Sequence, residues 1–207
     1  MSPGADATGV VVAGGRSIRF GDREKALAEF DGQPMLRRVV DALATVTDEI
    51  VVNCRPDQHE QFTTALDGVD ADVRFSLDEA TDEGPLDGLR TALSAVETNH
   101  AVVLGCDMPL VDPDALSTLL SAVRAHDADA AVPRTDDGPE PLHAVYRVGP
   151  TVAAAAAARA DDQRSLRALL ERLSVRSLDA ATGAVSPRSL TSVDTRERLR
   201  EMDGTDD

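Results

Sequence analysis

Short apolar runs alternate with helix-like stretches along most of this chain, and that alternation constrains its fold more than any other feature. Four runs of four to six residues have the length and composition of strands, at Val10–Ala13, Ile50–Cys54, Val73–Leu77 and Ala101–Cys106. Between them, apolar residues recur at helical spacing, as in 35–43 after Pro34. The pattern predicts one domain over 1–207, a Rossmann-like three-layer α/β/α sandwich with a mainly parallel central sheet.

The C-terminal third continues the alternation less regularly. Further strands are predicted at 130–132, 142–148, 175–178 and 190–193, and helices at 150–173 and 196–202. Thr195 is a suitable N-cap for the last helix.

Polar or glycine residues lie at the end of each of the first four predicted strands or directly after it. They are Gly14 and Gly15, then Asn53, Asp78 and Asp107. The carboxyl ends of parallel strands meet at one edge of a sheet, where open α/β sheets bind their ligands. The sequence therefore predicts one crevice that contains all five residues.

The loop after the first strand has the composition of a phosphate-binding loop. Glycines let the backbone approach a ligand and present its N–H groups to phosphate oxygens, and Arg16, Arg19 and Lys25 add positive charge. Lys25 is the only lysine among 21 basic residues. A chain that otherwise uses arginine throughout is expected to need an ammonium group at this position.

The spacing of this loop excludes the two commonest phosphate-binding motifs. A GxGxxG dinucleotide loop would need glycine where Arg16 stands, and a Walker loop would need lysine where Asp22 stands. The remaining alternatives are a different phosphate-binding loop, or a turn with incidental arginines.

The charge of the chain limits its partners and its setting. A net charge of −16 and a pI of about 4.5 disfavour nucleic acid, whose phosphates such a surface repels. Abundant aspartate with one lysine is typical of a salt-adapted, haloarchaeal protein; a GC-rich genome is the alternative explanation. No signal peptide or membrane segment is recognised. The two cysteines, Cys54 and Cys106, lack metal-binding spacing, so we expect reduced thiols in a cytoplasmic protein.

Several segments, in order, resemble the MobA-like nucleotidyltransferases. The first loop matches LAGGxSxRMGxxKxLxxxxGxPL, with Val12 and Phe20 replacing leucine and methionine. GPLDGL resembles GPLAGL, LGCDMPLVDPDAL resembles a CDxPxxxxxxL strand end, PLHAVYR resembles PLxALY, and SVDTRERL resembles NINTPEDL; they occupy 84–89, 104–116, 141–147 and 192–199. Ser192 and Asp194 stand where the family usually has asparagine. The likeness covers nearly the whole chain.

The resemblance implies a reaction and a set of partners. A terminal phosphate of molybdopterin, or of Mo-molybdopterin, would attack the α-phosphorus of GTP, giving molybdopterin guanine dinucleotide and pyrophosphate with Mg²⁺ as cofactor. Residues 9–125 would bind the nucleotide and 126–203 the acceptor. Molybdoenzymes or other cofactor-biosynthesis proteins would be the protein partners, and neither nucleic acid nor a membrane would be involved.

The resemblance also assigns roles to individual residues. Lys25 and Arg19 would hold the triphosphate, and Asp107 would bind Mg²⁺ and complete the catalytic set. The nucleotide would be bound by Val12, Ala13, Gly14, Gly15, Lys25, Asn53, Asp78 and Asp107. Asp78 is the candidate that reads guanine; a solvated acidic loop is the alternative, because Glu79, Asp82 and Glu83 adjoin it.

Other readings stay open at this point. The acceptor could be another phosphorylated small molecule, with GTP or CTP as donor, or the protein could bind nucleotide without turnover. His143 could face the pterin, although a hydrogen-bonded structural histidine is favoured, while His59, His100 and His126 are expected to be exposed. Arg134 and Arg147 are candidates for guiding an anionic pterin.

Overall fold

The computed structural model describes residues 6–16, 20–21, 24–78 and 84–204. Arg19 and the acidic residues Glu79, Asp82 and Glu83 therefore lie outside the described residues.

A mainly parallel sheet forms the centre of the molecule, as the alternating sequence predicts. Eight strands of the described residues belong to it. They are β1 (Ala7–Val12), β4 (Glu49–Cys54), β5 (Asp72–Leu77), β6 (His100–Gly105), β7 (Ala130–Thr135), β8 (Gly138–Pro139), β9 (His143–Arg147) and β10 (Val175–Asp179). Their order across the sheet is β10-β7-β9-β6-β1-β4-β5, with β8 paired to β7. Strand β9 runs antiparallel between β6 and β7, whereas β6, β1, β4 and β5 are parallel neighbours.

Helices cover both faces of the sheet. One apolar core packs α1 (Met35–Ala44), α2 (His59–Ala65) and α4 (Pro113–Ala125) on one face. The other packs α3 (Pro85–Ser94), α5 (Val148–Ala160) and α6 (Leu166–Leu170) on the opposite face. Successive residues of β1 serve the two cores, with Val11 in the first and Val10 in the second, because neighbouring side chains of a strand point to opposite faces. The predicted three-layer sandwich is confirmed.

A small third apolar cluster joins the segment after the glycine loop to the C-terminal part of the chain. A hairpin of β2 (Glu29–Phe30) and β3 (Gln33–Pro34) turns at Asp31 and Gly32, both with positive φ. Phe20, Phe30 and Met35 pack there with Val193, next to α7 (Arg196–Asp203). Thr195 caps α7 by accepting a hydrogen bond from the Arg198 N–H, as predicted.

The predicted strand at 190–193 is wrong. The backbone N–H groups of Leu190 and Thr191 donate to the Pro187 and Arg188 carbonyls, which makes tight turns. The Val193 N–H donates instead to the Asp107 carbonyl at 2.8 Å. This contact ties the segment after the turns to the carboxyl end of β6.

The longest described helices, α4 and α5, have 13 residues each. None of the helices that the structure describes is long and apolar enough to cross a membrane.

Candidate active site

The ammonium group of Lys25 lies between two carboxylates at the carboxyl edge of the sheet. Lys25 starts a 3₁₀ turn after the glycine loop, and its Nζ is 2.7 Å from Asp107 Oδ2 and 3.1 Å from Asp194 Oδ1. The Lys25 and Asp107 side chains are mostly buried, whereas that of Asp194 is 45% exposed. Burial alone would lower the pKa of Lys25, but the Asp107 and Asp194 carboxylates raise it, so the ammonium form is favoured.

Local backbone geometry fixes the position of Asp107. It follows β6 directly, and a Cβ on Gly105 would lie 2.6 Å from its Oδ1, so the side chain folds back over a position that needs glycine. The Val193 N–H holds the Asp107 carbonyl and brings Asp194 alongside. Sequence reasoning assigned no role to Asp194; the SVDTRERL match contained it, and only the fold places it beside Lys25.

Asn53 and Asp78 meet beneath the glycine loop. The Asn53 Nδ2 donates to Asp78 Oδ1 at 2.8 Å and to the Ser76 carbonyl at 3.2 Å. Gly14 packs so closely on Asp78 that any added Cβ would overlap the carboxylate. Asn53 is fully buried, so its amide positions the Asp78 carboxylate from within the protein.

One polar atom of this group has no partner within the described residues, namely the buried Asn53 Oδ1. A Cβ on Gly88 would lie 2.8 Å from that oxygen. The two glycines therefore let the Asn53–Asp78 pair sit directly against the loop and against α3.

Arg55 organises the glycine loop, and sequence reasoning missed it. Its Nη1 donates to the Gly14 and Gly15 carbonyls at 3.0 and 2.8 Å, and its Nη2 to Glu24 Oε1 at 2.6 Å. Gln58 adds a bond to Glu24 Oε2 at 2.7 Å. No motif quoted from the sequence contains Arg55, although it follows Asn53 by two residues.

The orientation of the loop amides follows from these contacts. In a trans peptide the carbonyl and the next N–H point in opposite directions. Since Arg55 holds the Gly14 and Gly15 carbonyls, the N–H groups of Gly15 and Arg16 point away from it. Gly15 is exposed, with no heavy atom within 4 Å of an added Cβ. The loop can thus present N–H donors to an anion.

The remaining predicted residues of the loop line its base. Ala13 is buried and its N–H donates to the Asn53 carbonyl at 2.9 Å, while Val12 is half-buried at the end of β1. The structure thus brings Val12, Ala13, Gly14, Gly15, Lys25, Asn53, Asp78 and Asp107 to one edge.

Two expectations about histidines are wrong. His143 is completely buried, and both of its ring nitrogens lack hydrogen-bond partners within the described residues. Burial lowers its pKa to about 4. It pairs with Leu104, whose side chain faces the α4 side of the sheet. The His100 side chain is only 14% exposed, because it starts a central strand; His59 and His126 are exposed as expected.

One expectation about an arginine also needs correction. Arg147 ends the antiparallel strand β9 opposite His100, so it lies at the far edge of the sheet from Lys25 and cannot guide a substrate there. Arg159 bonds the buried Asp87 of α3. Arg134 is exposed near the carboxyl end of β7, on the same edge as the site.

The donor set at this edge suits a hard cation bound together with phosphates. Among the residues that the structure describes, no group of three His, Cys, Asp or Glu could hold a metal by itself. Mg²⁺ needs no such cage, because it takes one or two carboxylates with phosphate oxygens and waters. Asp107 and Asp194, both within 3.1 Å of the same ammonium nitrogen, supply that number.

A mainly parallel α/β/α sandwich with a lysine, carboxylates and a glycine loop at its carboxyl edge is the arrangement expected of a nucleotidyltransferase. The chain matches the family described as the MobA-like NTP transferase domain over residues 9–178. The chain belongs to that family.

Relatives agree with this assignment along almost the whole chain. It is 45% identical, over 94% of its length and 95% of the relative's, to a probable molybdenum cofactor guanylyltransferase of Natronomonas pharaonis. It is 41% identical, over 83% and 80%, to the corresponding protein of Haloferax mediterranei. Both are haloarchaeal, in agreement with the salt-adapted composition.

Solved structures share the fold. The molybdopterin-guanine dinucleotide biosynthesis protein A of Archaeoglobus fulgidus is similar with a TM-score of 0.75 and 24% identity, over 96% of this chain and 97% of that one. A Mycobacterium tuberculosis protein solved in complex with manganese has a TM-score of 0.67 and 20% identity, over 98% and 100%.

Proposed function

We propose that this protein is a molybdenum cofactor guanylyltransferase, which transfers GMP from GTP to Mo-molybdopterin. The observation that carries the proposal is the position of Lys25, held between Asp107 and Asp194 beside a braced glycine loop. The names of the haloarchaeal relatives support the choice of substrates.

The chemistry requires positioning and charge neutralisation more than proton transfer. A terminal phosphate oxygen of the acceptor forms a new bond to the α-phosphorus of GTP, the bond from that phosphorus to the bridging β-oxygen breaks, and pyrophosphate leaves with the electron pair. The attacking phosphate is already an anion, so no general base is needed. Preorganised positive charge at the oxygens where negative charge develops supplies most of the acceleration.

The residues of this chain divide that work between them. The Gly15 and Arg16 N–H groups bind phosphate oxygens, Lys25 binds the triphosphate and stabilises the departing pyrophosphate, and Arg19 assists at the same group. Asp107, with Asp194, would hold Mg²⁺, which supplies further charge neutralisation when bound.

Selection of guanine is assigned to Asp78. A carboxylate can accept hydrogen bonds from both N1–H and N2–H₂ of guanine, whereas the cytosine edge offers no matching pair of donors. Asn53 holds one Asp78 oxygen at 2.8 Å and so fixes the orientation of the carboxylate.

The acceptor is assigned to the C-terminal half. Residues 9–125 bind the nucleotide and 126–203 the molybdopterin, with the exposed Arg134 attracting its phosphate. Both cysteines are free and buried, as reduced thiols of a cytoplasmic enzyme would be. Molybdoenzymes that receive the product are the expected protein partners.

Pyrophosphate release tests the proposal. Each of the four NTPs is supplied with Mg²⁺, in the presence or absence of Mo-molybdopterin, in concentrated KCl. Release with GTP that depends on the acceptor supports the function. Release with CTP instead would overturn the guanine assignment, and no release with any NTP would overturn the activity.

A further inference from the structure

We propose that a second, separate cavity at the opposite edge of the sheet binds a small phosphate monoester. The cavity has a volume of about 450 Å³, within the range of small-molecule sites. His100 and Arg147 line it, at the start of β6 and the end of β9. Since Asp107 follows the other end of β6, roughly 20 Å of strand separate this cavity from Lys25.

Two arginines and a histidine, from three elements, line the cavity. Arg124 comes from the last turn of α4, Arg147 precedes α5, and His100 begins β6. Such a concentration is unusual in a chain with 37 acidic and 21 basic residues. Guanidinium groups present planar pairs of donors that match phosphate oxygens.

One further donor, a backbone N–H group, faces the same space. Gly149 lies in the first turn of the 13-residue helix α5, where N–H groups have no helical partner. No heavy atom lies within 4 Å of a Cβ built on Gly149, so its backbone is open to a ligand.

The acidic neighbours of the arginines do not close the site. Asp127 Oδ1 is 3.0 Å from Arg147, and Asp6 Oδ2 is 3.4 Å from Arg124. Both carboxylates are exposed, Asp127 by 92% and Asp6 by 55%. Ion pairs this exposed contribute little free energy. A dianionic phosphate that reaches both arginines at once can displace them.

The walls of the cavity indicate more than a bare phosphate. Val123 and Pro150 add apolar surface beside the charged groups, and the volume exceeds what one phosphate fills. A phosphate ester of a compact organic group, such as a sugar phosphate, fits both the charge and the walls.

The test uses ribose 5-phosphate as the probe, with inorganic phosphate and ribose as comparisons, at constant KCl concentration. Binding is measured by calorimetry, and its location by the imidazole proton NMR signals of the four histidines. We expect ribose 5-phosphate to bind in a saturable way and to shift the His100 signal, with the signal of the remote, exposed His59 unchanged. Inorganic phosphate should bind at least tenfold more weakly, and ribose not at all.

Matched variants make the result specific. The double variant R124Q/R147Q should lose at least tenfold in affinity, whereas R167Q, which neutralises an 85% exposed arginine of α6, should bind like the wild type. D127N should bind several-fold more tightly, because it removes a competing carboxylate. A Tm close to that of the wild type, measured by differential scanning calorimetry, shows that all three variants are folded.

Four outcomes would overturn the proposal. They are an unchanged His100 signal at saturating probe, full affinity in R124Q/R147Q, weaker binding by D127N, and equal affinity for phosphate and ribose 5-phosphate. Equal affinity for phosphate and ribose 5-phosphate would show that the cavity recognises inorganic phosphate and not an organic phosphate ester. None of these results depends on the guanylyltransferase activity being correct.

Discussion

At the scale of single residues, the positive charge of Lys25 balances the two carboxylates of the site. Two carboxylates lie within 3.1 Å of its ammonium nitrogen, so removing that charge would leave Asp107 and Asp194 facing each other unscreened. The use of one lysine among 21 basic residues is consistent with a compact point charge being required there. An ammonium can move between carboxylate and phosphate oxygens, whereas a planar guanidinium has fixed donor directions.

Replacing Lys25→Met should therefore reduce turnover by about 100- to 1000-fold, the usual effect of deleting one preorganised donor to a developing charge. The measurement is the steady-state rate of pyrophosphate release with GTP and acceptor. Arg167→Met is the matched control, because it removes one positive charge from an exposed position and should keep the wild-type rate. A Lys25→Met rate within threefold of wild type would contradict the role given to the ammonium group.

His143 makes the folded state sensitive to acid. Burial lowers its pKa to about 4 from the model-compound value of 6.5, and no hydrogen bond offsets that burial among the described contacts. The unfolded chain binds the proton more tightly, so stability is complete above pH 6.5 and falls as the pH drops towards 4. The loss attributable to this residue is about 3 kcal/mol.

The variant His143→Leu should lack that component. Urea unfolding at pH 7.5, 6, 5 and 4.5 measures it: the difference in unfolding free energy between wild type and variant should change in favour of the variant as the pH falls. His126→Leu, at an exposed site, serves as the control. Parallel pH dependences of wild type and His143→Leu would show that His143 does not titrate in this range.

At the scale of the elements, the glycine loop depends on the segment that follows β4. Arg55 is nearly buried and holds two loop carbonyls together with Glu24. Arg55 thus orients, from the side opposite its exposed face, the loop that we propose to bind the nucleotide. Removing the nearly buried guanidinium would leave the Gly14 and Gly15 carbonyls and the Glu24 carboxylate without this donor, which is more costly than losing a fully exposed contact.

Arg55→Met should lower the free energy of unfolding by about 2–4 kcal/mol and raise the KM for GTP more than it lowers kcat, because the loop binds nucleotide less well. Urea unfolding and steady-state kinetics give the two quantities. Arg74→Met is the control, since Arg74 on β5 is 40% exposed and holds surface carboxylates only. Unchanged KM and stability in Arg55→Met would exclude the bracing role.

The sequence alone predicts the strands of the sheet better than it predicts the contacts that build the site. The strands β1, β4 and β6 were predictable because each is a short apolar run, and β5 because apolar and polar residues alternate along it. Their polar ends were therefore expected to meet at one edge. The segment 190–193 was predicted as a strand, but turn hydrogen bonds at Leu190 and Thr191 and the bond from Val193 to the Asp107 carbonyl decide its conformation. Arg55 and Asp194 could not be assigned, because their importance lies in contacts that only the folded chain creates.

At the scale of the whole molecule, the net charge of −16 opposes folding at low salt. Compaction brings 37 carboxylates closer together against 21 cations, and several of the ion pairs, such as those of Arg164 and Arg167, are too exposed to offset the repulsion. Screening shortens the range of this repulsion from about 10 Å at 0.1 M salt to about 3 Å at 1 M. The folded state gains more from screening than the expanded unfolded chain, in which the charges are farther apart.

Raising KCl from 0.1 to 2 M at pH 7.5 should therefore raise the Tm, by about 2–4 °C for each kcal/mol of relieved repulsion in a chain of this size. Differential scanning calorimetry over a KCl series measures the slope. The control is the same series near pH 4.5, the calculated isoelectric point, where little net charge remains and the slope should fall by more than half. If the slope were equal at the two pH values, ion-specific hydration rather than net repulsion would govern the salt dependence, because only the repulsion disappears when the carboxylates are protonated.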